Sequence, residues 1–254
     1  MKVLLIVVDG MRPDAMIQIP KARDLMKKST YTLKGRTVFV SATLPAHMSL
    51  FHSVDPERHG TLLNVFVPQV RPVRGLCEVL RENGKHSALF YTWEPLRDLT
   101  RPGSVDFAYY YSAKVLGYEK TNLVVTDAAI KHIATHDTDF IFLYLANTDT
   151  AGHRYGWMSK EYMDSIEESF NNIGRIMETL DEEWSVIVLS DHGGNGRHHG
   201  TDSDEDMTIP LLFIGKDFEK GKELPSASIK DVAPTIAKLF GIAPDEDWEG
   251  QSVL

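Results

Sequence analysis

Five short runs of consecutive apolar and largely β-branched residues punctuate the chain, at positions 3–8, 87–91, 140–146, 185–189 and 211–214. They lack the polar alternation of a strand with one wet face, which is the pattern of strands buried on both sides. Between them the period changes to that of a helix. Tyr162, Ile166, Phe170, Ile173, Met177 and Leu180 recur at steps of three and four, which predicts an amphipathic helix over 160–180. A second helix starts near Ser228, a residue suited to an N-cap, carries Val232, Ile236, Leu239 and Phe240, and stops at Gly241. Strands alternating with such helices predict an α/β fold, a mostly parallel central sheet with helices on both faces. No repeat, low-complexity tract or long linker breaks the 254 residues. One domain over 1–254 is therefore expected, with room for a small insertion within 65–120, where Pro and Arg are frequent.

Composition narrows the functional classes. A single cysteine, Cys77, excludes an internal disulfide and a cysteine-rich zinc module. A net charge of −9 disfavours a nucleic acid polymer, whose binding is driven by neutralising phosphates. The apolar run at 3–8 ends at Asp9-Gly10 with no small-residue cleavage site after it, so it reads as a strand and not as a signal segment. No stretch approaches the roughly 18–20 apolar residues of a membrane span. The expectation is a cytoplasmic protein with a small-molecule partner and no membrane.

The strand ends carry candidate chemistry. Asp9 comes directly after the first strand, Asn147-Thr148-Asp149 after another, and Ser190-Asp191-His192 after a third. In open α/β sheets ligands gather at the carboxyl ends of strands. Asp149 and His153 are four apart, so one helical turn points both the same way. Asp191 and His192 precede Gly193-Gly194, where backbone can pack close to a cation. His199 precedes Gly200, and the adjacent His198 is its competitor. Carboxylate and imidazole together suit zinc, with manganese or iron also served by such donors. Three carboxylates and a deprotonated Thr43 would balance two divalent cations. Thr43 stands two residues before Pro45, near the start of a predicted helix. Alone it reads as a capping threonine, but a helix N-terminus also presents free N–H groups to phosphate.

These segments together resemble the alkaline phosphatase superfamily, and within it the nucleotide pyrophosphatase/phosphodiesterase branch. The resemblance rests on Asp9-Gly10, Thr43-Leu44-Pro45-Ala46-His47, Pro56-Glu57-Arg58-His59-Gly60 and Asp149-Thr150-Ala151-Gly152-His153. It continues through Ser190-Asp191-His192-Gly193, His199-Gly200, Asp231-Val232-Ala233-Pro234-Thr235 and Gly250-Gln251-Ser252, in the family's order along nearly the whole chain. It implies an alkaline-phosphatase-like fold and a hydrolase that cleaves phosphate diesters or nucleotides. It further implies one metal held by Asp149, His153 and His199 and another by Asp9, Asp191 and His192. Thr43 would be the nucleophile beside the second metal, forming a phospho-threonine, and Asn64 would bind a phosphoryl oxygen. A sulfatase would need Cys or Ser at the nucleophile position and an arginine where His47 stands. The alternatives are a phosphomonoesterase or phosphonate hydrolase on the same site, or a metal-binding protein without catalysis.

The other candidates are given ordinary roles. His47 and His59 pack or hydrogen-bond beside the site, and His52, His86, His132 and His136 are expected to be solvated or helix-face residues. Tyr109-Tyr110-Tyr111 reads as a strand or rim, and residues 202–206 as a solvated acidic loop. Arg12, Arg154 and Arg197 are the cations near proposed ligands that a monoesterase would recruit.

Overall fold

A computed structural model describes residues 1–118 and 120–254. Its strands are β1 (Lys2–Val8), β2 (Thr30–Arg36), β3 (Ser87–Tyr91), β4 (Phe107–Tyr110), β5 (Phe140–Leu145), β6 (Trp184–Leu189) and β7 (Thr208–Ile214). They form one sheet in the order β2-β7-β6-β1-β5-β3-β4. From β6 through β4 every pairing is parallel, while β7 runs antiparallel to β6, and β2 antiparallel to β7. The five apolar runs are the five inner strands. The two edges are β2, which had no sequence signal, and β4, which overlaps the Tyr109-Tyr110-Tyr111 segment read as a strand or rim.

The edges lack an apolar run for physical reasons. β4 has only four residues and they are mostly exposed, so no apolar run marks it. β2 reads Thr-Tyr-Thr-Leu-Lys-Gly-Arg, and its register with β7 shifts between Thr32 and Gly35. A side chain at Gly35 would run into Leu211 and the Ile209 carbonyl, so glycine there is a matter of close approach.

Along β1 the side chains divide between two cores. Val3, Leu5 and Val7 join one, with residues of the Thr43–His52, Leu76–Glu82 and Val232–Leu239 helices. Leu4, Ile6 and Val8 join the other, under the Pro20–Met26, Thr121–Thr135 and Lys160–Met177 helices. This two-sided burial is why β1 carries no polar alternation. The long helix runs Lys160–Met177, with Ser159 as N-cap accepting from the Tyr162 amide at 3.2 Å. Ser228 caps a short 3₁₀ turn, Ile229–Asp231, that leads into the Val232–Leu239 helix, and Gly241 follows with φ +70°. Among the described residues no helix is long and apolar enough to cross a membrane.

Register places the site. Val8 lies opposite Leu145 of β5, and Val7 opposite Leu189 of β6. The carboxyl ends of three neighbouring strands thus open at one level of the sheet, and the acidic residues after them share one edge.

Candidate active site

Asp9 leaves β1 directly, Asp149 stands in the Asn147–Tyr155 helix after β5, and Asp191-His192 follow β6. Since β1 lies between β5 and β6, the three carboxylates converge. Ligand atoms of Asp149, His153 and His199 lie within 4.8 Å of one another, as do those of Asp9, Asp149 and His192. The Asp149–His153 spacing is delivered by the helix, as the sequence suggested. Asp191 divides its two oxygens between backbone and cluster. Its Oδ1 accepts from the amides of Gly10 (3.1 Å) and His192 (3.0 Å), while its Oδ2 lies 3.5 Å from His192 Nε2 and only that oxygen is free to face a cation.

The three imidazoles are oriented in the same way. His153 Nδ1 donates to the Arg197 carbonyl, His192 Nδ1 to the Gly193 carbonyl and His199 Nδ1 to the Ser41 carbonyl, each at 2.8 Å. A backbone acceptor on Nδ1 fixes the tautomer and leaves Nε2 as the inward lone pair. These Nε2 atoms stand 3.4 Å (His153) and 3.6 Å (His199) from Asp149 Oδ1, and 3.2 Å (His192) from Asp9 Oδ1. His198 is exposed, whereas the half-buried His199 is the neighbour whose ring faces Asp149.

Thr43 is not a cap. Ala42 is the N-cap of the Thr43–His52 helix, and Thr43 is the first helical residue. Its buried Oγ1 lies 3.2 Å from His192 Nε2, beside the second carboxylate cluster. Asn64 reaches the same place from an irregular loop. Its Oδ1 accepts from the Leu44 amide at 2.9 Å, which turns the Nδ2 donors away from the helix. Thr43, Asn64, Asp9, Asp149, His153 and His199 all line one cleft of about 830 Å³.

The electrostatics call for cations. Asp9 Oδ1, Asp149 Oδ1 and Asp191 Oδ2 are buried and have no hydrogen-bond partner, one oxygen from each strand end. A buried unpartnered carboxylate oxygen costs folding free energy unless a positive charge meets it. Burial alone would raise the Asp9 carboxyl, but the hydrogen bond and charge of His192, with the Tyr144 hydroxyl, overcome it and hold Asp9 at about 2. Asp149 and Asp191 are pushed well above the usual range, by burial first and the charge of Asp9 next. Burial opposes a charge on His192, yet Asp191, Asp9 and Asp149 together raise it to about 10. Without cations the cluster holds protons to survive its own repulsion. The donor set, three carboxylates and three imidazoles with inward lone pairs, fits metal ions in place of those protons.

With this geometry the chain can be compared with known proteins. Residues 3–205 match the type I phosphodiesterase / nucleotide pyrophosphatase family. The chain belongs to that family. Murine ectonucleotide pyrophosphatase/phosphodiesterase 5 superposes with a TM-score of 0.82 at 16% identity, covering 98% of each chain. A 2-O GAG sulfatase superposes with a TM-score of 0.80 at 12% identity, covering 99% of this chain and 73% of the other. These likenesses show a shared α/β fold, a mostly parallel sheet with helices on both faces. In sequence, the chain is 28% identical over 152 residues to 2,3-bisphosphoglycerate-independent phosphoglycerate mutase 2 of Methanosarcina acetivorans, covering 56% of this chain and 29% of the mutase. A mutase of Listeria welshimeri is 30% identical over 135 residues, covering 51% of this chain and 26% of that protein. The chain therefore matches less than a third of the length of these curated relatives.

Several residues that shape this phosphodiesterase-family site had no sequence signal. Tyr144, inside β5, donates its hydroxyl to Asp9 Oδ2. Trp157 donates Nε1–H to the Gly10 carbonyl at 2.9 Å and packs on Gly152 and Gly194, where a Cβ would overlap its ring. Asp206, expected in a solvated loop, is buried and accepts from Thr201 N (2.8 Å) and Thr201 Oγ1 (2.7 Å), which pins the segment bearing His199. Asp202 and Asp204 are exposed as expected. His52 and His132 lie in the Thr43–His52 and Thr121–Thr135 helices and are buried, whereas His86 and His136 are exposed. His47 Nδ1 meets the Thr43 carbonyl at 2.8 Å and His59 Nε2 meets Ser49 Oγ at 3.0 Å, as neighbours of the site. Arg12 is committed to Asp14 and the Gly194 carbonyl, and Arg197 is exposed. Arg154 does line the cleft, as does Tyr110 at the end of β4.

Proposed function

We propose that residues 1–254 form one catalytic domain that hydrolyses phosphate diesters or nucleotides, with Thr43 as nucleophile and two divalent metal ions at the carboxylate–imidazole clusters. The observation that carries this reading is the position of Thr43 Oγ1 at the first turn of a helix, 3.2 Å from His192 Nε2. A structural metal site closes on its own ligands and has no use for such a hydroxyl. Asp149, His153 and His199 would hold one ion and Asp9, Asp191 and His192 the other, zinc by donor type, with manganese also suited. When bound, the ions would lower the pKa of the Thr43 hydroxyl and offset negative charge on the phosphoryl oxygens.

Thr43 Oγ gives up its proton to solvent and attacks phosphorus as the opposite P–O ester bond breaks, and the leaving oxygen takes a proton from solvent. Water then cleaves the phospho-threonine, which frees the phosphomonoester and restores the hydroxyl. The Asn64 Nδ2 donors hold one non-bridging oxygen, their direction set by the Leu44 amide on Oδ1. A neutral amide matches the single negative charge of a diester better than the two of a monoester. Of the structural relatives, a form of the murine protein with threonine changed to alanine is described as inactive and holds AMP, which supports both the threonine chemistry and a nucleotide-sized substrate. A monoesterase reading rests on Arg154, which with Lys114 puts positive charge at the cleft wall.

The test compares kcat/KM for bis(p-nitrophenyl) phosphate and p-nitrophenyl phosphate under one metal condition, in the wild type and in Thr43→Ala. The diester is expected to be preferred, and the substitution to cost on the order of 10⁴-fold or more in kcat. A preference for the monoester would reverse the substrate assignment. Turnover by Thr43→Ala near the wild-type rate would reject the nucleophile.

A further inference from the structure

His153 and His192 each donate Nδ1–H to a backbone carbonyl, but their surroundings differ. The His192 side chain is fully buried and lies face to face with His199, the ring centroids 3.8 Å apart and the planes 13° from parallel. The His153 side chain is 43% exposed. One hydrogen bond sets the tautomer of an imidazole but does not by itself fix the plane of the ring, so an exposed ligand needs a second contact. Trp157 supplies it. The indole meets the His153 ring edge-on, with centroids 5.2 Å apart and planes at 86°, and the His199 ring at 5.9 Å and 63°. Edge-to-face packing of this kind favours one ring orientation over others.

The chain around Trp157 keeps the indole in place. The Asn147–Tyr155 helix ends at Gly156, whose φ of +102° turns the chain so that Trp157 folds back on the helix. Trp157 N donates to the Gly196 carbonyl at 2.8 Å, and Nε1 donates to the Gly10 carbonyl at 2.9 Å. A Cβ on Gly152 would lie 2.7 Å from the ring and one on Gly194 2.2 Å, so both flanking residues are small by necessity. One buried side chain thus touches the segments that follow β1, β5 and β6. The second ligand group has anchors of its own. Asp9 is held by the Tyr144 hydroxyl, Asp191 by the Gly10 amide and His192 by the Gly193 carbonyl. The Gly10 carbonyl also accepts from the Tyr162 hydroxyl at 2.9 Å, so it keeps a donor without the indole.

We propose that Trp157 is a positioning residue for one of the two ions and not the other. By packing on His153 and His199 it holds their Nε2 atoms towards Asp149, while the ion at Asp9, Asp191 and His192 does not depend on it. The proposal rests on the two-metal reading above.

The experiment titrates the chelated full chain with zinc against a chromogenic chelator, in the wild type, His153→Ala, Trp157→Phe and the double variant. His153→Ala identifies the binding step that belongs to the His153 ion. Trp157→Phe keeps one ring but loses the indole N–H and part of the packing area, and it should weaken that step alone, by about 10- to 100-fold. In the His153→Ala background the same change should leave the remaining ion unaffected, as expected when the tryptophan acts through that histidine. Weakening of both steps alike, of neither, or of the remaining ion in the double variant overturns the proposal. If Trp157→Phe does not fold, the indole N–H signals of the ¹⁵N-labelled wild type decide. The Trp157 signal, assigned by replacing the other three tryptophans, should move in the step that His153→Ala abolishes, and a signal that stays in place overturns the proposal. Zinc uptake that His153→Ala leaves unchanged also overturns it. A wild type that binds both ions and hydrolyses no ester removes the phosphodiesterase reading, and a selective loss in Trp157→Phe would still uphold the positioning role.

Discussion

Tyr144→Phe removes one oxygen from the molecule and tests how Asp9 is held. The hydroxyl donates to Asp9 Oδ2, while Asp9 Oδ1 has no hydrogen-bond partner and lies 3.2 Å from His192 Nε2. One oxygen is tied to the protein and the other is left for a cation. The ring itself packs edge-on against His47, with centroids 5.4 Å apart, and phenylalanine keeps that contact. The substitution thus isolates the hydrogen bond. Leaving a buried charged acceptor without its donor costs roughly 1–3 kcal/mol, so unfolding free energy should fall by that order. Asp9 is held at about 2 in part by this bond, and its pKa should rise, so that protons compete better for the carboxylate. Partners that orient a metal ligand are typically worth 10- to 100-fold in metal affinity, and a weakening of that order is expected here. Competition with a chromogenic chelator measures the affinity directly, and kcat at limiting and saturating metal should show activity largely restored by excess ion. If metal affinity stays within twofold of the wild type, the hydroxyl does not position Asp9.

Metal removal should lower the melting temperature, because the three unpartnered carboxylate oxygens lose their compensation. Elemental analysis of protein purified without chelator should find close to two ions per chain, and a chelated protein with unchanged melting and activity would refute the assignment. Asp206→Ala should lower activity and metal affinity by at least about tenfold through the Thr201 segment, since it acts at one remove from His199; unchanged metal affinity would show that segment to be self-supporting. Burial, aided by the charge of Arg101, lowers His52 to about 4, below the roughly 6.5 of the unfolded chain. The unfolded state therefore binds the proton first, and stability should fall as pH drops from about 6.5 towards 4, by about 2 kcal/mol at pH 5 from this group. Urea unfolding of metal-free wild type and His52→Asn at pH 7.5 and 5 isolates the term, and equal pH dependence of the two would remove it.

The sequence by itself determined the inner strands, the Lys160–Met177 and Val232–Leu239 helices, and the acidic or histidine residue types at the strand ends. Those are short-range properties: a strand buried on both faces must be apolar throughout, and a helix brings Asp149 and His153 together at a spacing of four. It also carried the family motifs that singled out Thr43, Asn64 and His199. Only the tertiary structure decided that β1 lies between β5 and β6, which is what makes one site of carboxylates 140 residues apart in the chain. It also decided that His199 and not His198 turns inward, because the Ser41 carbonyl that orients the ring belongs to a distant segment. Tyr144 looked like one more apolar strand residue, and Asp206 like one more surface acid. Their roles depend on partners at Asp9 and Thr201 brought close by the fold, and no local pattern of hydrophobic and polar residues records such a partner.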